Sequence, residues 1–236
     1  MADLLPDAVV RYADHDQAVI DLHLPADPNG TLVVLVHGGF WKQRYDRTHT
    51  RSQARALAAA GYLVATPEYR RVGGGGGWPT TTADLEDAVT ALPDLVAGLD
   101  LSWERAVMTG HSAGGHLALW LLTRALPISF DVVVSIAGVI DLARAAELGL
   151  GDDAVRRFLD GAAVPDADPM TLLTAAPTAR VALVHGEADD VVPVELSGRF
   201  ASAHVWAALD VLAGVGHFDF LDPADPAWAA VVAHLS

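Results

Sequence analysis

The sequence predicts an α/β protein: an open, doubly wound, mostly parallel sheet with helices on both faces and a small helical cap. Three observations carry this expectation. Strand-like and helix-like segments alternate from residue 31 to the end of the chain. Thr31-Leu32-Val33-Val34-Leu35-Val36 is an unbroken β-branched and leucine run, the pattern of a strand buried on both faces of a parallel sheet. The residues best suited to chemistry, Gly38, Ser112, Asp189 and His217, each follow the end of a predicted strand, where ligands bind in such sheets.

The elements follow in order. Val9-Val10-Arg11-Tyr12 and Ala18 to Leu24 are short extended segments. The second alternates apolar and polar residues from Ile20 to Leu24, which predicts a half-exposed antiparallel edge hairpin. Pro25 to Gly30 is a turn by composition. After the Thr31–Val36 strand, a helix is expected from about Thr48 to Ala60, stopped by Gly61 at its C′ position. Tyr62 to Thr66 is the next strand, closed by Pro67.

Gly73 to Gly77 are five consecutive glycines followed by Trp78-Pro79. This stretch reads as a flexible surface loop, or as a mobile flap carrying Trp78 toward a pocket. It is not a phosphate loop, because no Gly-Lys-Ser/Thr follows. Thr81 to Gly98 reads as a helix with Thr82 or Thr81 as N-cap, a solvated acidic first turn (Asp84, Glu86, Asp87), and Pro93 ending or kinking it. Strands are expected at Arg105–Thr109, Phe130–Gly138 and Arg180–Gly186. Residues 141–178 are irregular and read as an inserted cap of short helices, too small for a second domain. Val194 to His204 is a helix, Val205 to Leu212 a last strand and Ala227 to Leu235 a closing helix.

Composition excludes several function classes. The 236 residues suit one α/β domain, 1–236, and 52% hydrophobic residues with a mean hydropathy of +0.30 supply a large core. No apolar run approaches the roughly 18 residues of a membrane span, and the N-terminus lacks a basic region and an apolar segment, so a cytoplasmic location is expected. There are no cysteines, which rules out disulfides, thiolate catalysis and cysteine zinc sites. The net charge of −15, from 15 basic and 30 acidic residues, disfavours nucleic acid and anionic membranes as partners. The ten histidines are scattered and no His-Glu-x-x-His is present, so neither a metal nor another cofactor is expected. Oligomeric state stays open, with a homodimer as one candidate.

The chemistry centres on Gly110-His111-Ser112-Ala113-Gly114, placed between an apolar, β-prone run and a helix-prone run. Strand, Gly-x-Ser-x-Gly turn and helix are the context of a nucleophile elbow. A hydroxyl needs a base, and the base needs an orienting acid. His217, in Gly214-Val215-Gly216-His217, follows the last strand and is the candidate base; His234 is read as a surface residue of the terminal helix. Asp189 or Asp190, in His185-Gly186-Glu187-Ala188-Asp189-Asp190, is the candidate acid, and His185 is read as shaping that loop. The oxyanion donors are expected at Ala113 and in the loop Gly38-Gly39-Phe40, with His37 ordering the latter. Trp41, Trp78 and His111 are candidate substrate-binding residues, although at an elbow the His111 side chain diverges from that of Ser112. Trp41 can equally pack in the core, and His116 reads as a packing or capping residue.

These motifs together resemble the α/β-hydrolase superfamily over residues 30–236. In that superfamily the His-Gly-x-x-Asp-x-x-Val-Pro pattern supplies the acid at its Asp, which here implies Asp189 rather than Asp190. His37-Gly38-Gly39-Phe40-Trp41 with Gly110-His111-Ser112-Ala113-Gly114-Gly115-His116 is similar to kynurenine formamidases (arylformamidases) and small carboxylesterases of the hormone-sensitive-lipase side. The last third is similar to the catalytic domain of prolyl-oligopeptidase-type peptidases, although 236 residues leave no room for their usual propeller. The resemblance implies a Ser112-His217-Asp189 serine hydrolase acting on a small-molecule ester or activated amide, such as N-formylkynurenine. A peptidase or aminoacyl amidase is the second expectation, and a ligand-binding protein without turnover the third.

Overall fold

The computed structural model describes residues 4–236. Eight strands form one sheet: β1 (Ala8–Arg11), β2 (Val19–His23), β3 (Thr31–Val36), β4 (Leu63–Pro67), β5 (Arg105–His111), β6 (Val132–Ile136), β7 (Arg180–Gly186) and β8 (Ala208–Leu212). Their spatial order is β1-β2-β4-β3-β5-β6-β7-β8. The β1–β2 and β2–β4 pairs are antiparallel and every later pair is parallel. The intervening helices are α1 (Arg51–Ala59), α2 (Thr80–Ala97), α3 (Ala113–Leu121), the short α4 (Leu142–Glu147), α5 (Leu150–Leu159), α6 (Val164–Ala167) and α7 (Pro169–Leu172), then α8 (Glu195–Ala203) and α9 (Pro226–Leu235).

The central strands are apolar throughout because both faces are covered. Leu32, Val34 and Val36 of β3 pack with residues of α2 and α3, including Leu85, Leu92 and Leu117. Val33 and Leu35 face the other way, onto Leu57 of α1 and Trp228 and Val231 of α9. Each such side chain contributes about 1.5–3 kcal/mol on burial, so alternate residues of one strand hold two layers of helices. Among the described residues no helix is long and apolar enough to cross a membrane.

Four local expectations need correction. β2 is not a half-exposed edge strand: it lies between β1 and β4 and all five of its residues are buried. Its polar Asp21 is covered by Arg47 and Arg51, whose guanidinium nitrogens sit 2.8 Å from its carboxylate. The N-cap of α2 is Pro79, while the Thr81 hydroxyl donates to Arg70 O in the preceding loop and the Thr82 hydroxyl to Pro79 O, and Pro93 is accommodated within the helix. Asp84 is not solvated; it is 2% exposed and takes both arms of Arg70, at 2.8 and 2.6 Å.

The fourth correction concerns Gly73–Gly77. The run is a surface turn with Gly73 and Gly75 exposed, but Gly74, Gly76 and Gly77 are packed against their neighbours. A Cβ at Gly76 would lie 2.2 Å from the Arg70 carbonyl, and one at Gly74 would overlap the Gln43 side chain. Trp78 is held by its N–H on Phe158 O at 2.7 Å, with its ring edge-on to Trp120. Glycine is needed here for close approach of chain segments rather than for a swinging flap.

Candidate active site

Ser112 stands between β5 and α3 with φ 57° and ψ −119°, a left-handed conformation that costs a non-glycine residue of order 1–3 kcal/mol. The surroundings enforce it. Ser112 N–H donates to Ile136 O of β6 at 2.8 Å. A Cβ at Gly110 would come within 2.2 Å of Gly114 O, and a Cβ at Gly114 within 2.2 Å of Val36 O. The flanking glycines therefore let β5, α3 and the end of β3 close onto one another around the serine.

Asp189 and His217 arrive from the neighbouring strand ends, after β7 and β8. His217 Nδ1 donates to Asp189 Oδ2 at 2.7 Å, and both residues are buried. Asp189 Oδ1 accepts the N–H groups of Val191 and Val192 at 2.9 and 2.8 Å. Burial pushes the Asp189 carboxyl up, but hydrogen bonding from His185 and His217 outweighs it and holds the group well below the usual carboxylate range. His185 is fixed in turn: its Nε2 donates to Val192 O at 2.8 Å and Ser197 Oγ donates to its Nδ1 at 2.7 Å. Asp190 is exposed, and His234, in the last turn of α9, lies 3.5 Å from Asp210 of β8.

With Nδ1 committed to Asp189, the His217 tautomer leaves Nε2 as an acceptor. Its backbone is anchored as well, because His111 Nε2 donates to His217 O at 2.9 Å. Burial pushes the His111 imidazole down to about 3, so this tie is neutral. Ser112, His111 and His217 line one cavity of about 360 Å³. Among the described residues no hydrogen bond closes between Ser112 Oγ and His217; in ligand-free sites such bonds commonly tighten only with substrate.

The loop after β3 forms the facing wall. Gly39, Phe40 and Trp41 have successive positive φ values of 108°, 50° and 55°. A Cβ at Gly38 would lie 2.6 Å from His111 O and 3.2 Å from Ser112 Cβ, so this backbone lies directly against the elbow. Among the described residues the N–H groups of Gly39, Phe40 and Ala113 have no protein acceptor. The Ala113 N–H opens α3 directly after the serine, and backbone donors at a helix start suit a developing oxyanion.

His37 was expected to order this loop, and the partners that hold it there, Glu68 and Tyr69, were missed. His37 Nε2 donates to Glu68 Oε1 at 2.9 Å, and the His37 ring stacks on Tyr69 with centroids 4.2 Å apart. Tyr69 O–H donates to His37 O at 2.6 Å. Glu68 also accepts from Arg47 N and Tyr69 N, and pairs with Arg71. Farther on, Val72 N–H donates to Trp41 O and Gln43 N–H to Val72 O. The signal was available: Glu68-Tyr69 directly follows β4, which neighbours β3 in the sheet.

Two substrate-binding expectations are not met. Trp41 is fully buried, stacked on Phe158 at 4.5 Å and edge-on to His116, and Trp78 packs on Trp120 and Phe158. Neither lines the cavity, because the positive φ run turns Trp41 inward and the backbone bond to Phe158 O holds Trp78 against α5. Phe40 remains on the wall, joined by Tyr45, Phe218, Leu221 and Val191. At its rim, Gly151 and Asp152 of α5 meet Lys42 and Arg44. Among the described residues no group of three or more His, Asp or Glu side chains is arranged to hold a metal ion.

A family model described as BD-FAE matches residues 20–203. No curated protein sequence matches the chain. Among solved structures, esterase B from Lactobacillus rhamnosis superposes with a TM-score of 0.83 at 20% identity, covering 98% of this chain and 85% of that one. A truncated carbohydrate esterase from gut microbiota gives 0.77 at 19% identity, with 92% and 91% covered. The propionate-bound Est2 esterase of Thermogutta terrifontis gives 0.76 at 22% identity, with 96% and 90% covered. These likenesses, together with the strand order, establish the α/β-hydrolase fold.

Proposed function

This chain belongs to the BD-FAE family, and from that premise we propose that it is a serine hydrolase cleaving small carboxylic esters through an acyl-enzyme. The observation that carries the reading is the His217–Asp189 pair opening onto the same cavity as a serine held in a left-handed turn. In this reading Ser112 Oγ attacks the ester carbonyl while His217 Nε2 takes its proton. Asp189 keeps His217 in the reactive tautomer and stabilises the imidazolium. The N–H groups of the Gly38-Gly39-Phe40 loop and of Ala113 receive the oxyanion; losing one such donor typically costs about 3–4 kcal/mol of transition-state stabilisation. His217 then returns the proton to the leaving alcohol. Water, deprotonated by His217, releases the acid and restores Ser112.

Esters come before amides because the structurally similar proteins are named as esterases, one of them with propionate bound. Aryl formamides and aminoacyl arylamides enter as arms of the test. Wild type and Ser112→Ala would be treated with a fluorophosphonate probe and assayed on p-nitrophenyl acetate, N-formylkynurenine and alanine p-nitroanilide. Labelling and acetate turnover that vanish together in Ser112→Ala support the proposal. Label that survives the substitution, or a wild type that neither labels nor turns over any of the three, removes it.

A further inference from the structure

We propose that the cavity carries a carboxylate-binding subsite at Arg44, so that the ligand class it selects is an aromatic ester bearing a carboxylate away from the scissile bond. This rests on the hydrolase reading for turnover, and extends it to the substrate's chemistry. The chain has twice as many acidic as basic residues and a net charge of −15. In such a molecule an arginine finds a carboxylate easily, and most do: Arg47 and Arg51 meet Asp21, Arg70 meets Asp84, Arg71 meets Glu68 and Arg199 meets Asp141.

Arg44 lines the cavity and does not follow that pattern. Among the described residues it makes no ion pair and no side-chain hydrogen bond; its guanidinium lies over the Tyr45 ring, 4.7 Å from the centroid. The contact with the ring uses no N–H hydrogen bond, so the donor fork of Arg44, which can take a carboxylate in two parallel bonds, has no partner among the described residues. The neighbouring cation is already neutralised, since Lys42 Nζ is 3.2 Å from Asp152. His49 and His111, also on the wall, are held neutral by burial. Asp152 also acts on Arg44 through space, but its hydrogen bond goes to Lys42, so these three rim groups sum to one positive charge, opposite in sign to the molecule as a whole.

The cavity that Arg44 and Ser112 share has the apolar lining an arene needs. Phe40 and Phe218 supply aromatic surface and Val191 and Leu221 aliphatic surface, within about 360 Å³. The overall negative field repels an anion at long range, so recognition of one needs a local, unpaired donor fork, which is what Arg44 offers.

The test is binding, which does not depend on turnover. Calorimetric titration of wild type and Arg44→Gln with 4-hydroxybenzoate and with methyl 4-hydroxybenzoate, at low salt, compares carboxylate with neutral isostere. Wild type is expected to prefer the carboxylate at least ten-fold and Arg44→Gln to lose that preference, with an unchanged thermal midpoint excluding misfolding. No preference in wild type, or a preference that survives in Arg44→Gln, overturns the subsite; survival there with loss in Lys42→Gln moves the charge to Lys42 and also overturns it. The matching substrates, 4-acetoxybenzoate and methyl 4-acetoxybenzoate, separate the two readings: a binding preference without hydrolysis of either ester keeps the subsite and removes the hydrolase.

Discussion

Glu68 and His37 are joined by a 2.9 Å hydrogen bond between two side chains that are both essentially sealed from solvent. Tyr69 completes the tie from the other side, by its stack on the His37 ring and its bond to His37 O. The loop proposed to hold the oxyanion thus depends on residues that touch no substrate. Tyr69→Phe keeps the stack and deletes the bond; kcat is expected to fall roughly ten-fold with KM little changed, in steady-state kinetics on p-nitrophenyl acetate. Glu68→Gln leaves the buried Arg71 without its charge partner, and urea unfolding should register a loss of about 3 kcal/mol.

Asp189→Asn should be far more damaging to rate than to stability. An amide in place of the carboxylate no longer enforces Nδ1–H on His217, and kcat is expected to fall roughly 10⁴-fold. Asp190→Asn, on an exposed side chain next door, should stay within a few-fold of wild type. Parallel kinetics of the two variants check the choice between the adjacent aspartates.

Gly38→Ala tests the close approach of loop and elbow. The added Cβ would meet His111 O at 2.6 Å, and backbone on both sides must move apart. Because the donors then sit too far from the oxyanion, kcat is expected to drop about 10²- to 10³-fold. The second-order rate of labelling by a fluorophosphonate, whose developing oxyanion uses the same donors, should fall in parallel.

His116 sets one acid-sensitive contribution to stability. Burial pushes its imidazole from 6.5 down to about 4 in the folded state, while its Nε2 donates to Ala167 O. A depressed folded value means the contribution is present above pH 6.5 and is lost as pH falls toward 4. Between pH 7 and pH 5 this amounts to about 2 kcal/mol. His116→Gln retains a donor and does not titrate, so its unfolding free energy should vary less over that interval by about this amount, as measured by urea titration at both pH values.

Much of this is legible in the sequence alone. The unbroken Thr31–Val36 run predicted a strand with two covered faces, and β3 lies in the middle of the sheet with helices on both sides. Gly-x-Ser-x-Gly between strand and helix predicted the elbow, and the strand-end positions of Asp189 and His217 brought them together. What was illegible depended on partners distant in sequence. Asp21 and Asp84 read as exposed because polar residues usually are; arginines 26 to 30 and 14 residues away bury them. Trp41 lies beside the motif that forms the cavity wall, and only the backbone twist from Gly39 to Trp41 decides that Phe40 faces the ligand and Trp41 the core. Glu68 and Tyr69 carry no motif of their own; their importance comes from β4 lying next to β3.

The sheet order has one more consequence. β8 pairs only with β7, three of its five residues are half-buried and two are exposed, and it forms the outer margin of the parallel half. His217 hangs from that margin, whereas Ser112 follows β5 in the interior. Margins of a sheet open at lower free energy than its centre. Fraying of the last strand would withdraw the proposed base from an otherwise intact molecule, so inactivation by mild denaturant should precede the loss of far-ultraviolet circular dichroism.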